Sequence, residues 1–311
     1  MKVAVVTGGN KGIGFAIARG LCQKFDGTVY LTARDETRGL KAIEELKKNG
    51  LNPKFHQLDI DNLESIKRFQ DYIKEKYGGL DVLVNNAAIA YKVNRYWYKK
   101  TSTFFFLKQY YTTISYLMSR MKNYSRSVNE AGLMLLKMLH EKQLKDKMNA
   151  VSASGEYVTR VLQHPVELSE GDIADSDNDP DIHIFNDPNM NLELETESDE
   201  DVSAKKNTHS EEGWGNSAYV VSKVGVSALT FIQQRKFDCD ERPDLVVNAV
   251  HPGYVDTDMT SHTGPLTIEE GAVAPLHCAL LPPGVKSPRG KYIWCDKKEV
   301  DWISGPVPSQ H

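Results

Sequence analysis

The sequence predicts an α/β protein with a doubly wound parallel sheet, because two parts of the chain show the same alternating pattern. Over residues 3–88, short β-branched runs alternate with amphipathic helical stretches, which is typical of right-handed βαβ units. The alternation resumes over residues 219–295. A chain of 311 residues, 40% of them hydrophobic, can bury one sizeable core. We therefore expect residues 1–311 to form a single domain.

The hydrophobic periodicity places each element in turn. Predicted strands cover Val3–Thr7, Val29–Ala33, Lys54–Leu58, Asp81–Val84, Val246–Val250 and Lys291–Cys295. Predicted helices run from Ile13 to Phe25, Leu40 to Leu46, Ile66 to Tyr77, Tyr219 to Arg235 and Ile268 to Leu281. This order is that of a doubly wound fold.

Two stretches between the patterned halves have an atypical composition. Residues 94–128 interleave aromatic residues with Lys and Arg and contain no acidic residue. Residues 167–206 hold fourteen acidic residues between Glu167 and Asp201. We expect the first stretch to be an insertion that packs on the domain and the second to be a solvated excursion. Basic residues among aromatics can also bind single-stranded nucleic acid, and salt-sensitive RNA binding would reveal that alternative.

The net charge and the positions of the cysteines limit the classes of ligand that the protein is expected to bind. The formal net charge of −4 gives no general attraction to nucleic acid or anionic membranes, so we expect a small-molecule ligand and neither of those partners. The four cysteines stand far apart, with no C-x-x-C pair and no neighbouring histidine at zinc-ligand spacing, which indicates reduced thiols and no metal. The apolar run Val3–Val6 is too short for a signal peptide or a membrane span, so the cytoplasm is the expected compartment.

A glycine-rich turn, residues 7–14, joins the first predicted strand to the first predicted helix. Glycines let the backbone approach a pyrophosphate closely, and the free N–H groups at the start of a helix attract its negative charge. The turn therefore predicts a dinucleotide site of the Rossmann type. Its predicted cofactor contacts are Gly8, Asn10, Lys11, Gly12, Ile13 and Gly14.

The end of the second strand indicates which dinucleotide binds. NAD-selective folds place an acidic residue there for the ribose 2′-hydroxyl, whereas this chain has Arg34. A guanidinium at this point, with Lys11 and Arg38 nearby, would pair with a 2′-phosphate. The sequence thus favours NADPH/NADP+.

A tyrosine and a lysine, Tyr219 and Lys223, are separated by one helical turn in the sequence YVVSK. A cation next to a phenol favours the phenolate, which lowers the phenol's pKa toward neutrality. Such a phenol can donate and recover a proton. We therefore predict that Tyr219 and Lys223 are catalytic.

Together these segments resemble the short-chain dehydrogenase/reductase family, and within it the animal NADPH-dependent carbonyl reductases. The resemblance covers residues 1–93 and 212–306. The motifs that carry it are the glycine-rich turn, Leu31–Asp35, His56–Ile60, Asn85–Ala88, Gly213–Trp214 with the Tyr/Lys pair, and His251–Met259. The fourth-strand motif departs from the family pattern, because Ala88 stands where glycine is usual.

The resemblance implies further contacts. Asp59 and Ile60 would border the adenine, Asn86 would lie beside the cofactor ribose, and Val255, Asp256 and Thr257 would lie at the nicotinamide end. Tyr219 and Lys223 would also contact the cofactor, and Tyr91, Lys92 and Val93 would line the substrate entrance.

The resemblance also implies a serine at the end of the fifth strand and an asparagine on the preceding helix. The segment Asn149–Gly155 offers Ser152 for the serine, which would bind the developing oxyanion and the substrate, with Ser154 as the alternative after a one-residue slip. Asn129 fits the asparagine pattern and would support a proton-relay water. The competing region, residues 100–105, lacks asparagine.

The expected activity is NADPH-dependent reduction of aldehydes, ketones or quinones, with hydride transfer to carbon and protonation of oxygen by Tyr219. The alternative is an NADP(H)-binding pseudoenzyme or interaction protein in which the altered middle region has disrupted the catalytic centre. The resemblance also favours a monomer, because the long acidic stretch would obstruct the family's usual dimer face.

Overall fold

The computed structural model describes residues 1–88, 121–129, 218–242 and 244–301, with the backbone alone over 121–129 and at several positions of 218–232. The chain divides into two compact units. One comprises Met1–Lys137, Ser217–Asp301 and Gly305–His311 and contains every described residue. The other, Met138–Asn216 with Trp302–Ser304, lies outside the described residues.

One eight-stranded sheet organises the described unit. Its strands are β1 (Val3–Val6), β2 (Thr28–Ala33), β3 (Lys54–Gln57), β4 (Leu80–Val84), β5 (Met121–Asn129), β6 (Leu245–Val250), β7 (Tyr292–Ile293) and β8 (Glu299–Val300). The spatial order is β3-β2-β1-β4-β5-β6-β7-β8, and only the last pair is antiparallel. The chain thus leaves β1 toward one edge and returns beside it with β4, which is the doubly wound Rossmann order. The predicted fold class is confirmed.

Helices connect these strands. They are α1 (Gly12–Lys24), α2 (Glu36–Lys48), α3 (Leu63–Tyr77), α4 (Ala218–Asp238), α5 (Ile268–Gly271) and α6 (Val273–Ala279). Side-chain caps fix several starts: Asp35 accepts the Arg38 N–H, Asn62 accepts the Ser65 N–H, and Thr267 forms a capping box with Glu270. The last predicted helix is therefore two short helices rather than one. No helix within the described ranges is long and apolar enough to cross a membrane.

The sheet has a hydrophobic core on each face, as a parallel sheet requires. Successive residues of β1 point to opposite faces. Ala4 and Val6 pack in a core with α1, α2 and α6, whereas Val3 and Val5 pack in a second core with α3. The first four predicted strands and their three helices are confirmed, with ends shifted by a few residues.

The fifth strand is where the sequence prediction was wrong. We expected Asn149–Ser152 to end the strand between β4 and β6, and Asn129 to begin a preceding helix. In the structure β5 fills that position, and Asn129 is its last residue, paired with Ala249 of β6. The strand between β4 and β6 is thus Met121–Asn129, and Asn149–Ser152 lie outside the described residues. Residues 121–128 of the expected insertion therefore belong to the sheet.

Candidate active site

The glycine-rich turn is held by the loop that follows β4. The Thr7 hydroxyl is buried and accepts the backbone N–H groups of Asn86 and Ala87, each at 3.0 Å, while it donates to the Val84 carbonyl at 3.3 Å. In return, the Asn86 amide donates to the carbonyls of Thr7 at 2.9 Å and Gly8 at 3.2 Å. These bonds fix the turn at the carboxyl ends of β1 and β4.

Close approach explains why this turn needs glycine at two positions. A Cβ on Gly14 would lie 2.3 Å from the Asn86 amide nitrogen and 2.5 Å from the Gly8 carbonyl oxygen. Gly8 has a φ of +63°, and a Cβ there would lie 2.9 Å from the Cα of Ala87. The close neighbour of the turn is thus Ala87, while Ala88, which departs from the family pattern, is exposed.

The start of α1 can receive an anion. Lys11 occupies the N-cap position but makes no side-chain hydrogen bond to the helix, so it does not satisfy the first N–H groups of α1. Those donors and the positive end of the helix dipole lie directly after the glycine-rich turn. The residues present therefore fit the pyrophosphate of a dinucleotide.

The structure separates the three cations assigned to a 2′-phosphate. Arg34 directly follows β2 and is exposed, and Arg38 is 71% exposed with its guanidinium 3.6 Å from Asp35. Lys11 instead forms an ion pair with Asp258 at 2.5 Å. Arg34 thus follows β2 directly and Arg38 lies in the first turn of α2, while Lys11 is held by the loop after β6. Their pairing with a 2′-phosphate stays a prediction.

Asp59 and Ile60 follow β3 and are partly exposed at the same sheet edge as the glycine-rich turn. The Asp59 N–H donates to the Ser65 hydroxyl, and the Asp59 carboxylate accepts the Asp61 N–H at 3.0 Å. Burial and the Asp59 charge raise the pKa of Asp61, against the opposing effect of Arg34. This corner is thus a folded turn within the electrostatic influence of Arg34, and its contact with the adenine stays a prediction.

The loop after β6 folds back against the start of α1. Val255 is buried, and its carbonyl accepts the Thr260 hydroxyl at 2.6 Å. Thr257 lies 3.5 Å from the position of a Cβ on Gly12, so the two segments touch. The loop that carries Val255, Asp256 and Thr257 therefore borders the glycine-rich turn, and its place at the nicotinamide end of a cofactor stays a prediction.

A series of ion pairs links this loop to the glycine-rich turn. His262 contacts Asp256 through Nδ1 at 2.6 Å and Asp258 through Nε2 at 3.1 Å, and Asp258 contacts Lys11. The hydrogen bond to Asp256 is the largest cause that raises the pKa of His262, with Asp258 acting in the same direction. The bond from Lys11 is the largest cause that lowers the pKa of Asp258.

Tyr219 and Lys223 both lie on α4, four positions apart and hence one helical turn apart. The Lys223 side chain is partly exposed, and its carbonyl accepts the Ser227 hydroxyl at 3.1 Å. The Tyr219 side chain is outside the described atoms. The helix backbone therefore carries both residues in the predicted order.

Other predicted residues fall outside the described ranges, namely Tyr91, Lys92, Val93, Ser152 and Ser154. Asn129 is described by its backbone, at the end of β5 rather than in a helix. The residues that follow β5 in the sequence are Glu130, Ala131 and Gly132, and they include no serine. The catalytic roles of Ser152 and Asn129 stay predictions.

Sequence reasoning missed three contacts in this region. The Thr7 hydroxyl was noticed only as part of a motif, and Asp258 and His262 were not singled out. Lys11 and Asp258 are 247 positions apart, so no spacing could have paired them. For Thr7, the local signal was a hydroxyl at the end of an apolar strand, but its partners Asn86 and Ala87 are 79 and 80 positions away in the sequence.

The sheet order, the glycine-rich turn at its switch point and the cations at the end of β2 define a dinucleotide-binding protein of the Rossmann class. Comparisons with known proteins agree. The family profile for short chain dehydrogenases matches residues 2–106. Among solved structures, salutaridine reductase from Papaver somniferum is 25% identical with a TM-score of 0.63, and the match covers 94% of this chain and 99% of that one.

Curated relatives are closer in sequence. Mouse carbonyl reductase (NADPH) 1 is 40% identical, with 96% of this chain and 98% of the mouse protein covered. Human carbonyl reductase (NADPH) 1 is 36% identical, with 97% of this chain and 99% of the human protein covered. The chain therefore belongs to the short-chain dehydrogenase/reductase family, in the group of the animal NADPH carbonyl reductases.

Proposed function

We propose that this protein is an NADPH-dependent carbonyl reductase that converts aldehydes, ketones or quinones into alcohols or hydroquinones. The observation that carries the proposal is a glycine-rich turn clamped at the carboxyl ends of β1 and β4, with Arg34 at the end of β2 and the Tyr219/Lys223 pair on α4. The mouse and human relatives reported above are named as NADPH carbonyl reductases, and the similarity covers nearly their whole length.

The chain's residues would hold NADPH in a definite order. The turn and the uncapped start of α1 bind the pyrophosphate, Arg34 and Arg38 pair with the 2′-phosphate, and Asp59 with Ile60 borders the adenine. Asn86 and the loop of Val255–Thr257 lie toward the nicotinamide end. NADPH, when bound, supplies the hydride for the carbonyl carbon.

Tyr219 is the proposed proton donor. Its phenol protonates the carbonyl oxygen, and the Lys223 ammonium, one turn further along α4, stabilises the phenolate that remains. Ser152 would hydrogen-bond the developing oxyanion and Asn129 would support the return of a proton through water. Tyr91, Lys92 and Val93 would line the entrance for the carbonyl substrate.

We further propose a cytoplasmic monomer whose partner is a small carbonyl compound and not nucleic acid. The acidic stretch of residues 167–206 lies between Ser152 and Tyr219 and would obstruct the family's usual dimer face. Light scattering on the purified chain tests the monomer, and a dimer would contradict that argument.

The activity is tested with purified protein, NADPH and either menadione or an aromatic aldehyde, by following the loss of cofactor absorbance. We expect turnover with NADPH and much slower turnover with NADH at equal concentration. The same samples are titrated with NADPH by fluorescence. Tight NADPH binding without turnover of any carbonyl would contradict the reductase and leave a cofactor-binding protein.

A further inference from the structure

Three tyrosine hydroxyls meet away from the glycine-rich turn. Tyr30 of β2 is 1% exposed, and its hydroxyl lies 2.7 Å from that of Tyr72 and 2.8 Å from that of Tyr77, both on α3. Tyr72 and Tyr77 are partly exposed. The cluster adjoins Lys54, the first residue of β3, so it lies toward the amino ends of the parallel strands. The described residues that fit a cofactor lie at the carboxyl ends.

Two lysines complete the cluster. The Lys54 ammonium donates to the Tyr77 hydroxyl at 3.1 Å and lies 5.7 Å from the centroid of that ring. The Lys76 ammonium donates to the Tyr72 hydroxyl at 2.8 Å and lies 5.8 Å from the Tyr77 ring centroid. Tyr77 therefore has two cations close to its ring, both within the range of a cation–π contact.

The hydrogen bonds can be ordered by their donors. Ammonium groups only donate, and each phenol has a single proton to give. With Lys76 donating to Tyr72, Tyr72 can donate to Tyr30 and Tyr30 to Tyr77, where Lys54 donates as well. In this order the Tyr77 oxygen accepts two hydrogen bonds and keeps its own proton for solvent. That arrangement stabilises a phenolate at Tyr77.

The electrostatic surroundings of the cluster also favour a phenolate at Tyr77. Burial alone would raise the pKa of Tyr77, but the hydrogen bonds from Tyr30 and Lys54, with the charges of Lys54 and Lys76, outweigh it and lower the pKa. Burial and the bonds to Tyr72 and Tyr77 raise the pKa of Tyr30, which therefore stays protonated as a donor.

We propose that Tyr77 is an electrophile-reactive tyrosine, a covalent modification site for sulfonyl and acyl donors. With an arylsulfonyl fluoride, the Tyr77 oxygen forms a bond to sulfur, the sulfur–fluorine bond breaks, fluoride leaves and the phenolic proton passes to buffer. The step needs no oxidant or reductant. It is independent of the proposed reductase function.

The test treats the full chain with an arylsulfonyl fluoride over a series of pH values and maps the labelled peptides. Tyr254 is the comparison, since it is 43% exposed and its hydroxyl contacts Thr263 rather than a lysine. We expect Tyr77 to be labelled at least several times faster than Tyr254 near neutral pH, because the hydrogen bonds from Tyr30 and Lys54 favour the Tyr77 phenolate. Equal rates at the two tyrosines would overturn the proposal.

Lysine variants test whether the neighbouring cations, rather than solvent exposure alone, make Tyr77 reactive. Lys54→Met should slow the labelling of Tyr77 by about threefold or more and move its pH midpoint upward, whereas Lys54→Arg should keep most of the rate. Lys74→Met is the matched control. Lys74 is exposed on α3, the helix that carries Tyr72 and Tyr77, and it donates to neither phenol among the described contacts. Labelling unchanged by Lys54→Met, in protein with wild-type thermal unfolding, would also overturn the proposal.

Discussion

The Thr7 hydroxyl offers a sharp test of how the glycine-rich turn is held. Valine has nearly the shape of threonine but no hydroxyl, so Thr7→Val keeps the packing and removes the acceptor for the N–H groups of Asn86 and Ala87. Thr7→Ser keeps the hydroxyl and removes only a methyl group. The pair of variants therefore separates hydrogen bonding from packing.

The expected size follows from the contacts. Two backbone N–H groups lose their acceptor in Thr7→Val, and leaving a buried donor unsatisfied costs about 1–3 kcal/mol. Because Asn86 and Ala87 are partly exposed, water can replace part of each bond, and the lower end applies to each. We expect the free energy of unfolding to fall by about 2 kcal/mol in Thr7→Val. Thr7→Ser should lose about 1 kcal/mol or less, the effect of one buried methyl group.

The assay is urea denaturation followed by circular dichroism, with the dissociation constant of NADPH measured by fluorescence on the same variants. Thr7→Val should also weaken NADPH binding, since the turn that receives the pyrophosphate loses its attachment to the β4 loop. If the valine and serine variants unfold at the same urea concentration and bind NADPH equally, the hydroxyl does not hold the turn.

Three further predictions concern charge and thiol chemistry. Arg34→Ala should weaken NADPH binding about tenfold or more and leave NADH binding nearly unchanged, as titration of both cofactors would reveal; an equal loss for both would refute the 2′-phosphate assignment. The raised pKa of His262 means that its ion pairs stabilise the fold fully below its ordinary pKa of 6.5, and that this contribution is lost as the pH rises through the raised value. The melting temperature of His262→Gln should therefore fall below that of wild type at about pH 5.5 and match it at about pH 9, and a constant difference would contradict the linkage. Burial raises the pKa of Cys278 to about 12, so a disulfide reagent near pH 8 should modify exposed Cys239 quickly and Cys278 only after unfolding, and equal rates would be the wrong result.

The first half of the fold was predictable because its strands carry a strong signal. β1 and β4, Val3–Val6 and Leu80–Val84, are buried on both faces and have nearly continuous apolar sequences, as interior parallel strands usually do. β5 does not follow this rule, since its sequence MKNYSRSVN is mostly polar. The parallel pairing with Leu80–Val84 and Leu245–Val250 on its two sides defines that strand, and such pairing is not visible in one segment alone.

The candidate site was predictable to the extent that it is local in sequence. The glycine-rich turn, Arg34 and the Tyr219/Lys223 spacing can each be recognised within a few consecutive positions. The ion pair between Lys11 and Asp258 was not predictable, because only the folded loop after β6 brings the two groups together. The error at Asn129 has a different cause. A short motif match cannot distinguish the end of a strand from the start of a helix.

The most direct measurement of the central claim compares wild type with Tyr219→Phe in the NADPH-dependent reduction of menadione or an aromatic aldehyde. Loss of the phenol hydroxyl should lower kcat by about 10²–10⁴-fold, the contribution of a positioned acid, while the variant still binds NADPH in a fluorescence titration. A Tyr219→Phe enzyme with wild-type kcat would contradict the assignment of Tyr219 as the proton donor.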